Sequence, residues 1–180
     1  MKTTALEIPD VIVFEPDVYR DSRGSFFESW QERRFSEAGI NEAFVQDNQS
    51  VSGKGVLRGL HFQQPPHAQG KLVRVARGAV MDVAVDLRKA SPTYGKWVSQ
   101  ILSEDNHLMM WVPKGFAHGF ITLEEDTVFL YKCTGFYNKA AEQTILWNDP
   151  DLNIPWGVEQ PLVSEKDLLG INFKALNSLF

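Results

Sequence analysis

Strict alternation of apolar and polar residues runs from Ala79 to Arg88. Ala79, Met81, Val83, Val85 and Leu87 fall on one side of an extended chain, and Val80, Asp82, Ala84, Asp86 and Arg88 on the other. A period of two fits a strand and no helix. Lys71 to Ala76 alternates in the same way and Arg77-Gly78 offers a turn, so Lys71 to Leu87 is expected to form a β-hairpin, with Lys71, Val73 and Val75 on a common face. Further strands are expected at Val11 to Phe14, Phe44 to Gln46, Trp97 to Leu102, His107 to Val112, Gly119 to Leu123 and Thr127 to Lys132, between Gly, Pro, Asn and Asp turn signals. Helical character is confined to Gln31 to Ala38, closed by Gly39, and a turn near Glu165 to Leu169. Many short strands with few helices predict an all-β sandwich or barrel. With no repeat, low-complexity tract or linker, residues 1–180 are expected to form a single domain in which Asn148 to Gly157 is a surface loop.

A net charge of -5 argues against a general role on nucleic acid or on a membrane surface, because both need a basic face. Any phosphate must then be met locally. Cys133 is the only cysteine, which excludes an intrachain disulfide and a thiolate metal cage and fits a reducing compartment. The opening MKTTALEIPD lacks an apolar signal core, and no apolar run approaches the roughly 18 residues of a membrane span. A cytoplasmic protein is the expectation.

Local charge is concentrated where chemistry is easiest to place. Gly55 to Val73, GVLRGLHFQQPPHAQGKLV, sets Arg58, His61 and Lys71 among glycines and β-formers. Two cations beside an imidazole suit an anionic substrate that undergoes proton transfer. A lone histidine on a strand is commonly structural, but Arg58 and Lys71 are hard to justify as packing. A second histidine, His118, lies in WVPKGFAHGF. The polar face that holds Asp82 is either solvated or turned into a barrel lumen, and in a lumen Asp82, His61, Lys71 and His118 would converge. Tyr131 and Tyr137 are candidates for a proton-donating phenol, Tyr131 with the better claim because it follows a β-like run. Asp21 to Glu28 is either a solvated hairpin or a contact for base and phosphate. No dinucleotide fingerprint, Walker loop or G-x-S-x-G is present, and Cys133 has no histidine near it in sequence.

Pro113 to His118 matches P-x-G-x-x-H, the second half-motif of the cupin jelly rolls. Metal-binding cupins also carry H-x-H, whereas His61 is followed by Phe62 and Gln63. With His67 in a proline-containing loop and His107 at a turn, no three-ligand set is found, so neither a metal nor another cofactor is expected.

Taken together, D-x-R-G-x-F-x-E at Asp21 to Glu28, Gln46-Asp47-Asn48, GVLRGLHFQ at Gly55 to Gln63, QGKLV at Gln69 to Val73, SPTYG at Ser91 to Gly95, GFAHGF at Gly115 to Phe120, the Tyr131 strand, Ile145 to Asn148 and Ser164 to Asp167 resemble the dTDP-4-dehydrorhamnose 3,5-epimerases over nearly the whole chain. The resemblance implies a cupin-type jelly roll and inversion of a dTDP-4-keto sugar at C3 and C5 through an enolate. It implies that His61 is the base, held by Asp167, and that Tyr131 is the acid; Tyr137 remains the alternative. Lys71 would stabilise the enolate oxygen, with Arg58 and His118 around the sugar and pyrophosphate. Arg23, Glu28, Gln46 and Asn48 would hold thymidine and phosphates, with Glu142 and Lys166 as further nucleotide contacts. A homodimer is implied, in which an exchanged N-terminal strand lends Arg23 and Glu28. Gln49 departs from the histidine that many members carry, and is expected behind the substrate contacts. Rival readings are an epimerase of one carbon only, a non-catalytic nucleotide-sugar-binding jelly roll, and a metal cupin.

Overall fold

Fourteen strands and two short α-helices appear in the computed structural model, which describes residues 1–180. The strands are β1 (Lys2–Ala5), β2 (Ile12–Glu15), β3 (Tyr19–Asp21), β4 (Gly24–Phe26), β5 (Gln46–Ser52), β6 (Val56–Gln63), β7 (Lys71–Arg77), β8 (Ala79–Asp86), β9 (Trp97–Ser103), β10 (Met109–Val112), β11 (Phe116–Thr122), β12 (Thr127–Cys133), β13 (Glu142–Thr144) and β14 (Leu162–Val163). The helices are α1 (Glu32–Glu37) and α2 (Glu165–Leu168). One sheet has the order β1-β2-β10-β7-β12-β5 and the other β13-β6-β11-β8-β9, with β14 also against β6. This is the expected all-β jelly-roll architecture. No helix is long and apolar enough to cross a membrane.

The expected hairpin does not form. β7 and β8 belong to different sheets, and Gly78 is the corner between them rather than a turn within one. Its φ of +76° favours glycine, and a Cβ there would stand 2.5 Å from Thr127 Oγ1. Gly78 N–H donates to Glu104 Oε1 at 2.7 Å, which fixes the corner. Strand limits also differ from expectation: Phe44 and Val45 precede β5, β10 starts at Met109 because His107 takes a φ of +53°, and β11 already begins at Phe116, ahead of Gly119.

Burial explains why alternation misled about the faces of β8. Val80 and Ala84 pack between the sheets with Val73, Val75, Met110, Phe120 and Phe129. Val83, Val85 and Leu87 pack on the outer face under the C-terminal residues Leu152, Ile154, Trp156 and Leu176. Both faces are therefore interior. The outer face of the first sheet is covered locally by α1, which sets Phe35 on Phe14, Leu72, Met109 and Trp111. Gln31 caps that helix by accepting from Arg34 N–H at 2.7 Å, and Gly39 follows its end with φ of +98°.

Asp86, fully buried, ties the end of β8 to the following loop. It accepts from Arg88 N–H and Nε at 2.9 Å and from Ser91 and Thr93 hydroxyls at 2.6 Å. Burial raises its pKa, but these donors outweigh that and hold it at about 2. Its unfolded value is higher, so the carboxylate stabilises the fold fully above about pH 4, and the contribution disappears as pH falls toward 2. Asp86→Asn is expected to lower unfolding free energy by about 2 kcal/mol at pH 7, with the gap to wild type closing over that acid range in urea titrations.

Candidate active site

Register brings the inward residues of the first sheet into two rungs. Gln46, Cys133 and Lys71 are Cα partners across β5, β12 and β7, and Asn48, Tyr131 and Val73 form the next rung. From the second sheet, His61 on β6 pairs with His118 on β11 and with Thr144 on β13, while Gln63 pairs with Glu142. Side chains of Gln46, Asn48, His61, Gln63, Gln69, Lys71, Tyr131, Cys133, Tyr137 and Glu142 line one cleft between these edges. The lumen reading of the polar alternation holds: Asp82 and His118 are interior.

His61 Nε2 lies 2.6 Å from Asp167 Oδ1. Asp167 is delivered by α2, whose N-cap Ser164 accepts from Asp167 N–H at 3.1 Å. Burial raises the Asp167 pKa, but the hydrogen bond and charge of His61 and the Gly59 N–H outweigh it, leaving the carboxyl below its ordinary value. A carboxylate only accepts, so Nε2 carries the ring proton and Nδ1 is the free basic nitrogen. The His61 side chain keeps 29% of its surface exposed, enough to meet a ligand.

Across the cleft, burial lowers the Lys71 pKa, opposed by the charges of Cys133, Asp82 and Glu142. No carboxylate bonds to its ammonium, so its attraction for an anion is unspent. Burial raises the Tyr131 pKa and Cys133 adds to this, while Arg58 pulls the other way; the phenol stays protonated. Arg58 itself donates from Nε and Nη2 to Ser52 Oγ at 3.2 and 3.1 Å. Behind Lys71, His118 Nε2 meets both Asp82 oxygens at 2.9 and 3.0 Å. Burial dominates this pair, raising Asp82 and lowering His118.

The mouth is built from Tyr137, whose hydroxyl donates to Glu142 Oε2 at 2.8 Å, and Lys166, whose ammonium stands 2.5 Å from the same oxygen. Tyr137 N–H donates to Gln46 Oε1 at 3.0 Å. Lys166 and Asp167 are consecutive on α2, so one turn holds both the mouth and the His61 carboxylate.

Arg23 and Glu28 are not brought to this cleft by their own chain. Arg23 pairs with Asp21 at 2.6 Å and Glu28 with Arg34 at 2.8 Å, beside the exposed β3–β4 hairpin. Gln49 points away from the cleft on the exposed face of β5. Gln63, Gln69 and Cys133 also line the cleft, though none of them is assigned a role there from sequence. Gln63 staples the rim by donating to the His67 carbonyl at 2.6 Å and accepting from Asn138 N–H at 2.6 Å. Its inward position was readable from its place two residues after His61. His61 and His118 are committed to separate carboxylates, and no three histidine, cysteine or carboxylate side chains gather as a metal set.

A family model described as dTDP-4-dehydrorhamnose 3,5-epimerase matches residues 5–175. A protein of that name from Pseudomonas aeruginosa is 57% identical over 175 residues, covering 96% of both chains, and one from Shigella flexneri is 54% identical over 174 residues with the same coverage. The solved structure of dTDP-6-deoxy-D-glucose-3,5-epimerase from Legionella pneumophila, in complex with dTDP-4-keto-L-rhamnose, superposes with a TM-score of 0.94 at 47% identity, covering 98% of this chain and 94% of that one. A 3′-monoepimerase from Streptomyces bikiniensis in complex with dTDP-quinovose is similar at a TM-score of 0.88 and 32% identity, over 93% and 86% of the two chains.

Proposed function

Since the chain belongs to the dTDP-4-dehydrorhamnose 3,5-epimerase family, we propose that His61, Asp167, Lys71 and Tyr131 carry out its isomerisation. The enzyme inverts dTDP-4-dehydro-6-deoxy-D-glucose at C3 and C5 to give dTDP-4-dehydro-L-rhamnose, a step of dTDP-rhamnose biosynthesis. The C4 ketone acidifies the hydrogens on both neighbouring carbons. His61 Nδ1 removes one proton, and Asp167 stabilises the imidazolium that results. Electron density moves onto the C4 oxygen, where the unpaired Lys71 ammonium meets it. Tyr131 returns a proton to the opposite face of the carbon and recovers its own from solvent, to which His61 gives up the proton it removed. One observation carries this assignment: a histidine whose proton is pinned by a buried carboxylate shares a cleft with a cation lacking a counter-ion and a protonated phenol.

Gln46, Asn48, Arg58, His118, Glu142 and Lys166 are assigned to the nucleotide sugar, and no cofactor enters the scheme. A homodimer belongs to the same proposal. Arg23 and Glu28 stand outside their own cleft, and Tyr19 and Phe26 on that hairpin are 64% and 66% exposed. β1 and β2 are paired within the chain, so the β3–β4 hairpin is the segment offered to a partner; mass in solution tests this. Action in the cytoplasm completes the proposal, in keeping with an unpaired cysteine.

The deciding experiment incubates the protein with dTDP-4-dehydro-6-deoxy-D-glucose in deuterated water and follows C3 and C5 by NMR. Deuterium with inversion at both carbons is expected. Inversion at one carbon would make the enzyme a single-centre epimerase, and absence of exchange would overturn the assignment. Two observations favour Tyr131 over Tyr137 as acid: Tyr131 lies deeper, and the Tyr137 hydroxyl is already donated to Glu142. Tyr131→Phe should therefore keep proton wash-out while slowing inversion by about 10²–10⁴-fold, the range of a lost general acid. Normal inversion in this variant would move the role to Tyr137 or water.

A further inference from the structure

β6 and β11 pair His118 with His61 and Phe120 with Arg58, so Gly119 alone stands opposite both Gly59 and Leu60. The additional residue in β6 is a β-bulge. In a regular strand Arg58 and His61, three positions apart, would project to opposite faces. Here Leu57, Leu60 and Phe62 all enter the outer core, while Arg58 reaches Ser52 and His61 faces the cleft. The bulge thus puts the guanidinium and the imidazole on one side.

Two glycines make the bulge possible. Gly59 has a φ of +140°, and a Cβ on it would lie 2.5 Å from Gly119 Cα. A Cβ on Gly119 would lie 2.9 Å from the Arg58 carbonyl oxygen and 3.1 Å from Gly59 Cα. Neither backbone neighbour can swing aside as a flexible side chain would. At this contact the Gly59 N–H donates to Asp167 Oδ2 at 3.3 Å, while His61 holds Oδ1 at 2.6 Å. The carboxylate is gripped on one oxygen by the imidazole and on the other by an amide two residues upstream of that same imidazole.

We propose that Gly59 and Gly119 are positioning residues for proton transfer: their backbone contact orients the Asp167 carboxylate behind His61 and aligns Arg58 with it. This deepens, and rests on, the reading of His61 as the base. Gly119 acts through the absence of a side chain, which leaves room for Gly59 to turn its amide onto the carboxylate.

Gly119→Ala tests this directly. A displacement approaching 1 Å at a reacting group is expected to lower kcat about 100-fold, with a smaller rise in KM for the nucleotide sugar through Arg58 and with the downfield proton resonance of His61 Nε2–H lost. Gly78→Ala is the control for strain alone, since its φ of +76° and its contact with Thr127 are distant in the chain from the pair; it should lose stability while keeping that resonance and kcat. Should Gly119→Ala fail to fold, the Gly59 amide of the unsubstituted protein is followed by nitrogen–proton NMR. Its resonance should titrate with Asp167 and move upfield in Asp167→Asn. Wild-type kcat with an intact imidazole resonance in Gly119→Ala, or a Gly59 amide blind to Asp167→Asn, overturns the proposal. These resonances are read in the free protein, so failure of the base assignment, seen as absent deuterium exchange in wild type, is a separate outcome.

Discussion

His61→Ala should abolish deuterium incorporation at both C3 and C5, lowering turnover by about 10⁴-fold, the upper range for a lost general base. No neighbour can replace it. Asp167 sits behind the imidazole and is 2% exposed, and its lowered pKa makes it a poor base. Glu142 is held below its ordinary pKa because hydrogen bonds from Lys166 and Tyr137 outweigh its burial. The alanine variant also leaves the Asp167 carboxylate with Gly59 N–H as its remaining donor from β6, which costs stability. His61→Asn separates the two effects, because its side-chain amide can still donate toward Asp167 while lacking a basic nitrogen. Both variants should bind the nucleotide moiety with near-normal affinity in calorimetry. Retained exchange in the folded asparagine variant would remove His61 from the role of base.

What the sequence discloses depends on the range of the interaction that sets each feature. Alternation is local, so the Ala79 strand and most of its fellows were readable. The partner of β8 is a matter of sheet closure, and a corner glycine at Gly78 looks the same as a hairpin glycine until β7 is seen in the other sheet. Among site residues, Arg58, His61, Lys71 and Tyr131 stood out by chemical type within short segments. Asp167 did not, because it is 106 residues from His61 and nothing in composition favours it over Asp82. The structure gives each carboxylate its own histidine, Asp167 with His61 and Asp82 with His118. Family resemblance supplied the correct pairing where periodicity was silent. The bulge at Gly59 escaped both, since it is defined by a miscount between two strands and not by any residue pattern in one.

Lys71→Met should lose turnover and gain stability together. Burial lowers the Lys71 pKa below its unfolded value, so the folded chain holds this proton less tightly than the unfolded chain does. Stability from this group is then lowest wherever both states are protonated, and it rises as pH climbs through the folded pKa toward the unfolded one. While it is protonated, the ammonium is a strain on the fold, which methionine of similar length relieves while still filling the space beside Cys133. Urea unfolding at pH 7 should place the variant above wild type, and the difference should shrink as the medium becomes alkaline. The same substitution removes the positive group facing the C4 oxygen when the enolate forms. Loss of one preorganised donor to such an oxyanion corresponds to roughly 10²–10³-fold in kcat, with a smaller change in KM because the neutral ketone attracts the ammonium weakly. Lys71→Arg should not rescue fully, since the planar fork cannot present a point charge in the same place. An unchanged rate in a more stable Lys71→Met variant would leave Lys71 without an enolate role. A less stable variant would show instead that its ammonium is paired in the folded state with Asp82 or Glu142, and the unspent charge on which this assignment depends would be absent.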